Sequence, residues 1–274
     1  DVTFVAFDTE TTGLFAPTQR IVEIGAVKFR LGQTEIKTFQ ELVNPGRKIP
    51  PDAIRVHHIT DEMVVSADTA PAVLRRFCDF CGQDSVLISH NAPFDISFVG
   101  WELDRAGMRF GENPIIDTVD IFRRLFPGLT SYSLESLVRH FAIAFTQDHR
   151  ALADALFVQK LFEKAMPSFP DAPNLGAALA HFSLHTMSEW AGHEPELPDR
   201  YSDLKLAIDR NLSVEIVYES PKSGPETRTV WPKRVFARVD TLYLVAHCER
   251  AGEERTFRLD RIPHYRLLTP ASIG

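Results

Sequence analysis

Cysteine is scarce in this chain, with three residues among 274. Three thiols cannot build the disulfide framework of a secreted protein, which favours a reducing compartment. Long hydrophobic runs are also lacking, since no stretch of about 20 apolar residues occurs that would cross a membrane. The first ten residues, DVTFVAFDTE, do not have the basic and then apolar order of a secretory signal. We therefore expect a cytoplasmic protein that does not enter a membrane.

Two pairs of residues have a spacing that is common in zinc sites, but neither pair has the further ligands that such a site requires. Cys78 and Cys81 form one CxxC pair, whereas a structural zinc site takes a second pair of ligands. His181 and His185 lie four residues apart on a predicted helix, without a glutamate of the HExxH type or a third ligand nearby. We interpret both pairs as packing or surface residues.

An excess of basic residues, the usual sign of a nucleic-acid binder, is also lacking. The chain carries 30 Lys and Arg against 37 Asp and Glu, a formal charge of −7. The acidic part is residues 1–199, with 17 basic and 27 acidic residues, while residues 200–274 carry 13 and 10. Nucleic acids attract proteins through Lys and Arg. Carboxylates that hold divalent cations would remove this conflict, since the loaded ions present positive charge to phosphate.

The order of strand and helix patterns predicts two domains. Residues 1–166 begin with three strand patterns and continue with helical patterns that alternate with short strands. That order is typical of a mixed α/β sheet flanked by helices. Proline recurs in residues 167–200, which we interpret as a linker with one helix, LGAALAHFSLHTMSEW. Residues 201–274 contain a short helical pattern and five strand patterns, which predict a small β-rich domain.

Asp8 and Glu10 lie at the end of the first strand pattern. Because side chains alternate along a strand, both carboxylates point to the same face. Two like charges on a mostly buried strand repel each other and lose hydration unless a partner neutralises them. A bound cation would do so directly, and Gly13, in the turn that follows, would let the backbone approach a ligand closely.

Two further acidic residues stand at the start of predicted helices. Asp95 closes the segment HNAPFD after the apolar run VLIS, and Asp154 lies in HRALAD, where another helix begins. Each alone could be ordinary, since an aspartate near a helix start often caps the helix. His149 lies five residues before Asp154, a spacing that does not share a helical face, so we expect His149 on the preceding loop.

Together, these residues belong to five motifs that follow one another in a recognisable order: DTETTGL, IVEIGAVK, VHHIT, HNAPFD and HRALADA. Over residues 1–166 the sequence resembles the DEDDh exonuclease family, most closely the epsilon proofreading subunits of bacterial DNA polymerase III. The resemblance implies a ribonuclease H-like fold and a phosphodiester hydrolase. It also implies that His149 is the general base, and that two divalent ions, Mg²⁺ or Mn²⁺, are bound by four acids: Asp8, Glu10, Asp95 and Asp154.

By the same resemblance, five residues surround the terminal nucleotide of the substrate: Thr11, Gly13, Leu14, His57 and Phe94. Phe94 and Leu14 have shapes suited to stacking or wedging against any base, with core packing as the alternative for both. The sequence departs from the family at His58, where glycine is common. This departure bears on sugar or base preference and leaves the five catalytic positions intact.

The resemblance implies that nucleotides are removed from the 3′ end of single-stranded DNA and released as 5′-mononucleotides. RNA is the alternative substrate, because the same acids serve RNA-trimming members of the family. A third interpretation is a regulatory binding protein with a decayed nuclease. Competent residues at all five catalytic positions argue against decay. The sequence does not specify whether a polymerase is a partner.

The C-terminal part, from Asp203 onwards, resembles the WYL domain, a small β-barrel-like module of bacterial regulators. The segment LYL, residues 242–244, stands at the name-giving position, and Pro232 and RTFRLDRI agree with the family. By analogy with WYL domains, we expect a grip for nucleic acid or a site for a small ligand. Four basic residues could form a phosphate-contacting face: Lys233, Arg255, Arg258 and Arg261. A solvated surface is the alternative.

Overall fold

A computed structural model of the chain describes residues 2–144, 149–169, 182–191, 195–220, 224–238 and 241–268. The chain divides into two compact units, Asp1–Trp190 and Ala191–Gly274. The domain limits drawn from the sequence, at residues 166 and 200, stay a prediction.

The first unit is built on a six-stranded sheet with the order β3-β2-β1-β4-β5-β6. Its strands are β1 (Phe4–Thr11), β2 (Ile21–Phe29), β3 (Lys37–Leu42), β4 (Val86–Ser89), β5 (Ile115–Asp117) and β6 (Leu184–His185). The three early strands that the sequence predicted are present, and they are antiparallel neighbours. Strands β4 and β5 run parallel to β1, and β6 runs antiparallel to β5. The sheet is therefore mixed.

Seven α-helices accompany this sheet in the described part of the first unit. They are α1 (Pro51–His57), α2 (Asp61–Val64), α3 (Ala70–Cys81), α4 (Ala92–Arg105), α5 (Thr118–Leu125), α6 (Leu134–His140) and α7 (Ala151–Ala165), the last followed by a 3₁₀ turn at Met166–Ser168. The predicted α/β fold of a mixed sheet with helices is confirmed. None of the helices in the described ranges combines the length and apolar character needed to cross a bilayer.

Helix α7 packs its apolar stripe on β1 and β2. Val158, Leu161 and Phe162 are buried in one cluster with Phe4 and Phe29, and the rings of Phe4 and Phe162 have their centroids 5.1 Å apart. Burying each large apolar side chain contributes roughly 1.5–3 kcal/mol. This packing anchors α7 across β2 and β1, the strand that carries the first acidic motif.

The described part of the predicted linker contains a strand in place of a helix. Leu184 and His185 form β6, which pairs with Ile116 and Ile115 of β5, and a 3₁₀ helix follows at Met187–Ala191. The helix predicted over LGAALAHFSLHTMSEW is therefore wrong for its described part. The backbone groups at the open edge of β5 take partners from this segment, and such tertiary pairing overrides local helix propensity. Residues 170–181, including His181, lie outside the described residues.

The second unit is a five-stranded antiparallel sheet with the order β10-β9-β8-β7-β11. Its elements are α8 (Ser202–Asp209), β7 (Val214–Ser220), β8 (Gly224–Arg238), β9 (Thr241–Cys248), β10 (Glu253–Arg258) and β11 (His264–Leu267), with 3₁₀ turns at Asp199–Tyr201 and Leu259–Arg261. Leu204 and Ala207 of α8 pack with Leu244 and Phe257 on one face of the sheet. The predicted β-rich C-terminal fold is confirmed.

Candidate active site

Three carboxylates converge where β1 meets the first turns of α7. Asp8 and Glu10 lie on the same face of β1, opposite Gly25 and Glu23 of β2. Oxygen atoms of Asp8, Glu10 and Asp154 all lie within 4.8 Å of one another. Oxygen ligands grouped in this way suit a hard divalent cation. The structure thus brings together three of the four predicted metal-binding acids in one group.

The convergence depends on a close approach between β2 and the start of α7. A Cβ atom built on Gly25 would lie 2.1 Å from the carbonyl carbon of Ala151 and from the backbone nitrogen of Leu152. Side-chain atoms cannot be accommodated at that distance, so glycine is required where the two backbones meet. Asp154 follows within the same helical turn, which places its carboxylate beside Asp8.

We expect Gly25→Ala to lower kcat by about 10²-fold, because the added methyl group must push the first turn of α7 away and a misplacement of about 1 Å can have that effect. Initial rates on a labelled single strand measure this change. Gly32→Ala is the control, since a Cβ atom there meets nothing within 4 Å although φ is +74°. The control should lose thermal stability and keep its turnover. A folded Gly25→Ala protein with wild-type kcat would contradict the account.

Asp95 lies in the first turn of α4, whose N-cap is Asn91. Its carboxylate accepts hydrogen bonds from Thr9 Oγ1 at 2.6 Å and Ser89 Oγ at 2.5 Å. Thr9 stands between Asp8 and Glu10 on β1, so this contact ties the fourth acid to the acidic strand. Asp95 is therefore not the helix cap that its position alone would suggest. Asp117 braces the same segment, since its Oδ1 accepts the backbone N–H of Asn91 at 2.9 Å.

The negative charge of each carboxylate in this site makes the charged form of its neighbours less stable. Burial, followed by the charges of Asp95 and Glu10, raises the pKa of Asp8 well above its usual range. Burial and the charge of Asp154 raise the pKa of Glu10 to about 9, and burial raises that of Asp95 to about 6 against the hydrogen bonds from Ser89 and Thr9. A divalent cation would favour the charged forms. The donor set and its electrostatics both fit a bound metal.

His149 lies two residues before α7, on the loop as predicted, with a left-handed φ of 46°. Its side chain is half-buried. The next residue, Arg150, pairs with the fully buried Glu23 of β2. Sequence reasoning missed Glu23, although a glutamate inside an apolar strand signals a buried partner.

The residues predicted around a terminal nucleotide occupy three segments. Leu14 is 88% exposed, and it follows a turn in which Thr11 Oγ1 donates to the carbonyl of Gly13 at 2.7 Å. Phe94 is half-buried, with its ring centroid 4.9 Å from that of Phe98. His57 is buried at the end of α1, and burial lowers its pKa.

The backbone conformation at His58 explains why glycine is common at this position. It forms the C-cap of α1 with φ 59°, a left-handed conformation that costs a residue with a side chain roughly 1–2 kcal/mol. The side chain of His58 is exposed. The departure from the family therefore keeps a backbone shape that glycine would adopt without strain.

The basic residues predicted to form one face of the second unit do not share a face. Arg255 and Arg258 are three residues apart on β10, so they point to opposite sides of the sheet. Arg258 pairs with Asp260 at 2.6 Å, Arg255 with Glu253 at 2.5 Å and Lys233 with Glu254 at 3.3 Å. Arg261 lies on the 3₁₀ turn after β10. The acidic partners reduce the net positive charge that these residues present.

An aromatic face that the sequence interpretation missed lies on the side of this sheet opposite its core. It contains two cross-strand pairs from β8 and β9: Phe236 with Tyr243, and Trp231 with His247. Ring centroids are 5.2 Å apart in the first pair, with planes at 9°, and 6.0 Å apart in the second. Arg234 pairs with Val245 between them. We call these four aromatic residues the aromatic face.

Comparisons with known proteins agree with both parts of the chain. A family model described as Exonuclease matches residues 5–162, and a model of the WYL domain matches residues 199–267. These matches confirm both resemblances and the prediction of a nuclease.

Among relatives, a DNA polymerase III subunit epsilon from Treponema pallidum is 40% identical over 164 residues, which cover 59% of this chain and 75% of the relative. A DNA polymerase III PolC-type protein from Listeria monocytogenes is 37% identical over 155 residues, 57% of this chain. The chain spans 11% of that relative's length.

The solved nuclease domain of 3′hExo, described as a DEDDh family member bound to rAMP, matches with a TM-score of 0.54 and 18% identity. The match covers 61% of this chain and 92% of that domain, and it supports the fold. The exonuclease model covers more than half of the chain and coincides with the unit that carries the converging acids, so the chain belongs to the exonuclease family.

Proposed function

We propose that this chain is a metal-dependent 3′–5′ exonuclease that hydrolyses single-stranded DNA and releases 5′-mononucleotides in the cytoplasm. The observation that carries the proposal is the group of Asp8, Glu10 and Asp154, with oxygens within 4.8 Å of one another. The DNA polymerase III relatives favour DNA as the substrate. The three free thiols fit a reducing compartment.

The metal ions in this proposal are two Mg²⁺ or Mn²⁺ ions held by Asp8, Glu10, Asp95 and Asp154. When bound, such ions supply an activated water and stabilise the departing 3′ oxygen. Carboxylate oxygens without cysteine at the site favour these hard cations over zinc.

His149 is proposed to accept the proton of the attacking water. Imidazole is the side chain that most often serves as a general base near neutral pH. Its side chain is half-buried, and it lies two residues before α7, the helix that carries Asp154.

The residues at the turn after β1 and the start of α4 are proposed to bind the last nucleotide. Leu14 is 88% exposed, so its apolar side chain is open to contact with a base. Phe94 presents a half-buried ring on the segment that carries Asp95. Contacts of this kind accept any base.

A time course on end-labelled single- and double-stranded DNA and RNA tests this function. A strand labelled at its 5′ end should give a ladder that shortens with time, while a 3′ label should appear at once as a mononucleotide. Both should require Mg²⁺ or Mn²⁺ and stop with EDTA. Faster loss of the matched RNA strand would assign an exoribonuclease, and binding without cleavage would assign a regulatory protein.

We further propose that the second unit grips the strand upstream of the 3′ end through its aromatic face. Stacked cross-strand rings offer flat surfaces to unpaired bases, and the neighbouring Arg234 and Arg258 lie on the same side of the sheet. Residues 200–274 also carry a net positive charge, which attracts phosphate. A second attachment point raises the local concentration of substrate at the active site.

Replacing Phe236 and Tyr243 together with alanine is expected to weaken binding of a long single strand by about 10- to 100-fold, since stacking contributes about 1–3 kcal/mol per base. Hydrolysis of a dinucleotide should stay unchanged because it is too short to occupy two sites. Fluorescence anisotropy across a range of salt concentrations measures the binding. Arg255→Ala, on the opposite side of β10 and paired with Glu253, is the control.

Ending the chain after Pro198 provides an independent test of the grip. For every phosphate that the shortened chain no longer neutralises, the slope of log affinity against log salt should flatten by about 0.7 on single strands. Unchanged slope and unchanged long-strand affinity would exclude the grip and leave a small-molecule or protein-docking role for the second unit.

A further inference from the structure

Glu23 carries a fully buried carboxylate whose bonds are all accounted for by the chain itself. Its oxygens accept from Nε of Arg150 at 3.0 Å, from Nη2 of the same guanidinium, and from the backbone N–H of Ala151 at 3.0 Å. Gln40 adds a bond from Nε2 at 3.0 Å. This carboxylate therefore fixes both the side chain of Arg150 and the first N–H of α7.

The position of Glu23 relates it directly to the candidate active site. It lies opposite Glu10 in the register of β1 and β2, and its charge contributes to raising the pKa of Asp8 and Glu10. It does not belong to the three-carboxylate group that could hold a metal. Two nitrogens of Arg150 donate to the oxygens of Glu23. We therefore interpret Glu23 as an anchor for Arg150 and not as a metal ligand.

Two residues with proposed chemical roles are attached to this anchor. His149 immediately precedes Arg150 and has a left-handed backbone. Asp154 lies on the turn of α7 that begins at Ala151, and its backbone N–H donates to the carbonyl of Arg150 at 3.0 Å. A shift of Arg150 would therefore move the general base and one acid together, relative to the acids on β1.

We propose that Glu23 and Arg150 are positioning residues that hold His149 and Asp154 in register with Asp8 and Glu10. This inference rests on the proposed exonuclease function. The ion pair acts through backbone placement, so its loss should reduce the rate of cleavage more than the binding of the strand.

Glu23→Gln in the full chain tests the inference. The amide keeps the shape and one acceptor oxygen but loses the charge that holds Arg150. We expect kcat to fall by about 10- to 100-fold, as a misplacement of about 1 Å can do, with KM for a short oligonucleotide changed less than about threefold. Anisotropy measured in EDTA, which does not depend on turnover, should show unchanged affinity for single strands.

Two further variants, Arg150→Ala and its combination with Glu23→Gln, separate positioning from stability alone. An ion pair that only stabilised the fold would leave kcat of the folded variants unchanged. Arg150→Ala should give a similar loss of kcat, and the double variant should be no slower than the slower single variant, because both changes break one interaction. Arg150→Lys keeps the charge but not the two-pronged geometry, and about a tenfold loss is expected. If Glu23→Gln does not fold, the kcat of Arg150→Lys tests the positioning role instead.

Glu41→Gln is the matched control. Both carboxylate oxygens of Glu41 on β3 likewise accept hydrogen bonds from an arginine, Arg76 of α3. Glu41 also lines the same surface cavity as Glu23 and Arg150. It should leave kcat unchanged. Wild-type kcat in folded Glu23→Gln and Arg150→Lys, or multiplying losses in the double variant, would overturn the inference. A wild-type chain without 3′–5′ cleavage would instead overturn the proposed function.

Discussion

An Asp154→Ala protein is expected to lose nuclease activity by on the order of 10³-fold or more while it keeps its fold. Asp154 supplies one of the three carboxylates whose oxygens lie within 4.8 Å of one another. Losing an oxygen ligand removes several kcal/mol of charge stabilisation from the transition state, and about 1.4 kcal/mol corresponds to a tenfold change in rate. Initial rates on a 5′-labelled single strand with Mg²⁺ and with Mn²⁺ measure the loss.

Thermal melting separates this chemical effect from misfolding. The charge of Asp154 is among those that raise the pKa of Asp8 and Glu10, so its removal relieves like-charge repulsion in the metal-free protein. The metal-free variant should therefore melt at or above the wild-type temperature. Added Mg²⁺ should stabilise the wild type through binding to the folded state and stabilise the variant much less.

Asp79→Ala is the control for Asp154→Ala. Asp79 is an exposed aspartate of α3, away from the converging acids, so the control should retain both turnover and the stabilisation by Mg²⁺. Wild-type turnover of Asp154→Ala in Mg²⁺ would defeat the assignment of the acidic group as the catalytic centre.

The acids could be predicted from the sequence because their signals are local. Alternation along one strand places Asp8 and Glu10 on one face, and motif order identifies the partners on other elements. The interactions that hold them together are not local. A glutamate in the apolar strand IVEIG indicates that Glu23 needs a partner, but the sequence does not say that the partner is Arg150. The requirement for glycine at Gly25 likewise arises only when the backbone of α7 lies against it.

The errors have equally specific causes. The helix predicted around Leu184 followed local propensity, whereas the open edge of β5 supplies backbone partners that favour a strand. In the second unit, a bulge between Pro232 and Arg234 shifts the register of β8, so strict alternation does not give the face of the residues that follow. Because of this shift, Lys233 has no partner in the register of β8 and β9. Arg234 and Phe236 then lie on the same side of the sheet as Trp231.

His149→Ala is expected to lower kcat by about 10²–10⁴-fold, the range typical of a lost general base. KM and the affinity for metal should change little, because His149 is not one of the acids that could hold the ions. The loss should shrink at high pH, where hydroxide from solvent replaces the missing base. Rates between neutral and alkaline pH, together with calorimetric titration of Mn²⁺, measure the two properties.

The backbone at His149 requires a second variant, because φ is 46° there and alanine is strained in that conformation. Asparagine adopts left-handed geometry more readily but does not accept a proton as imidazole does, so His149→Asn keeps the loop and removes only the base. Equal losses in both variants would place the effect in proton transfer, whereas recovery in His149→Asn would place it in backbone shape. Loss of Mn²⁺ affinity in parallel with kcat would make His149 a metal ligand, since a base that acts only on water leaves the metal-binding carboxylates as they are.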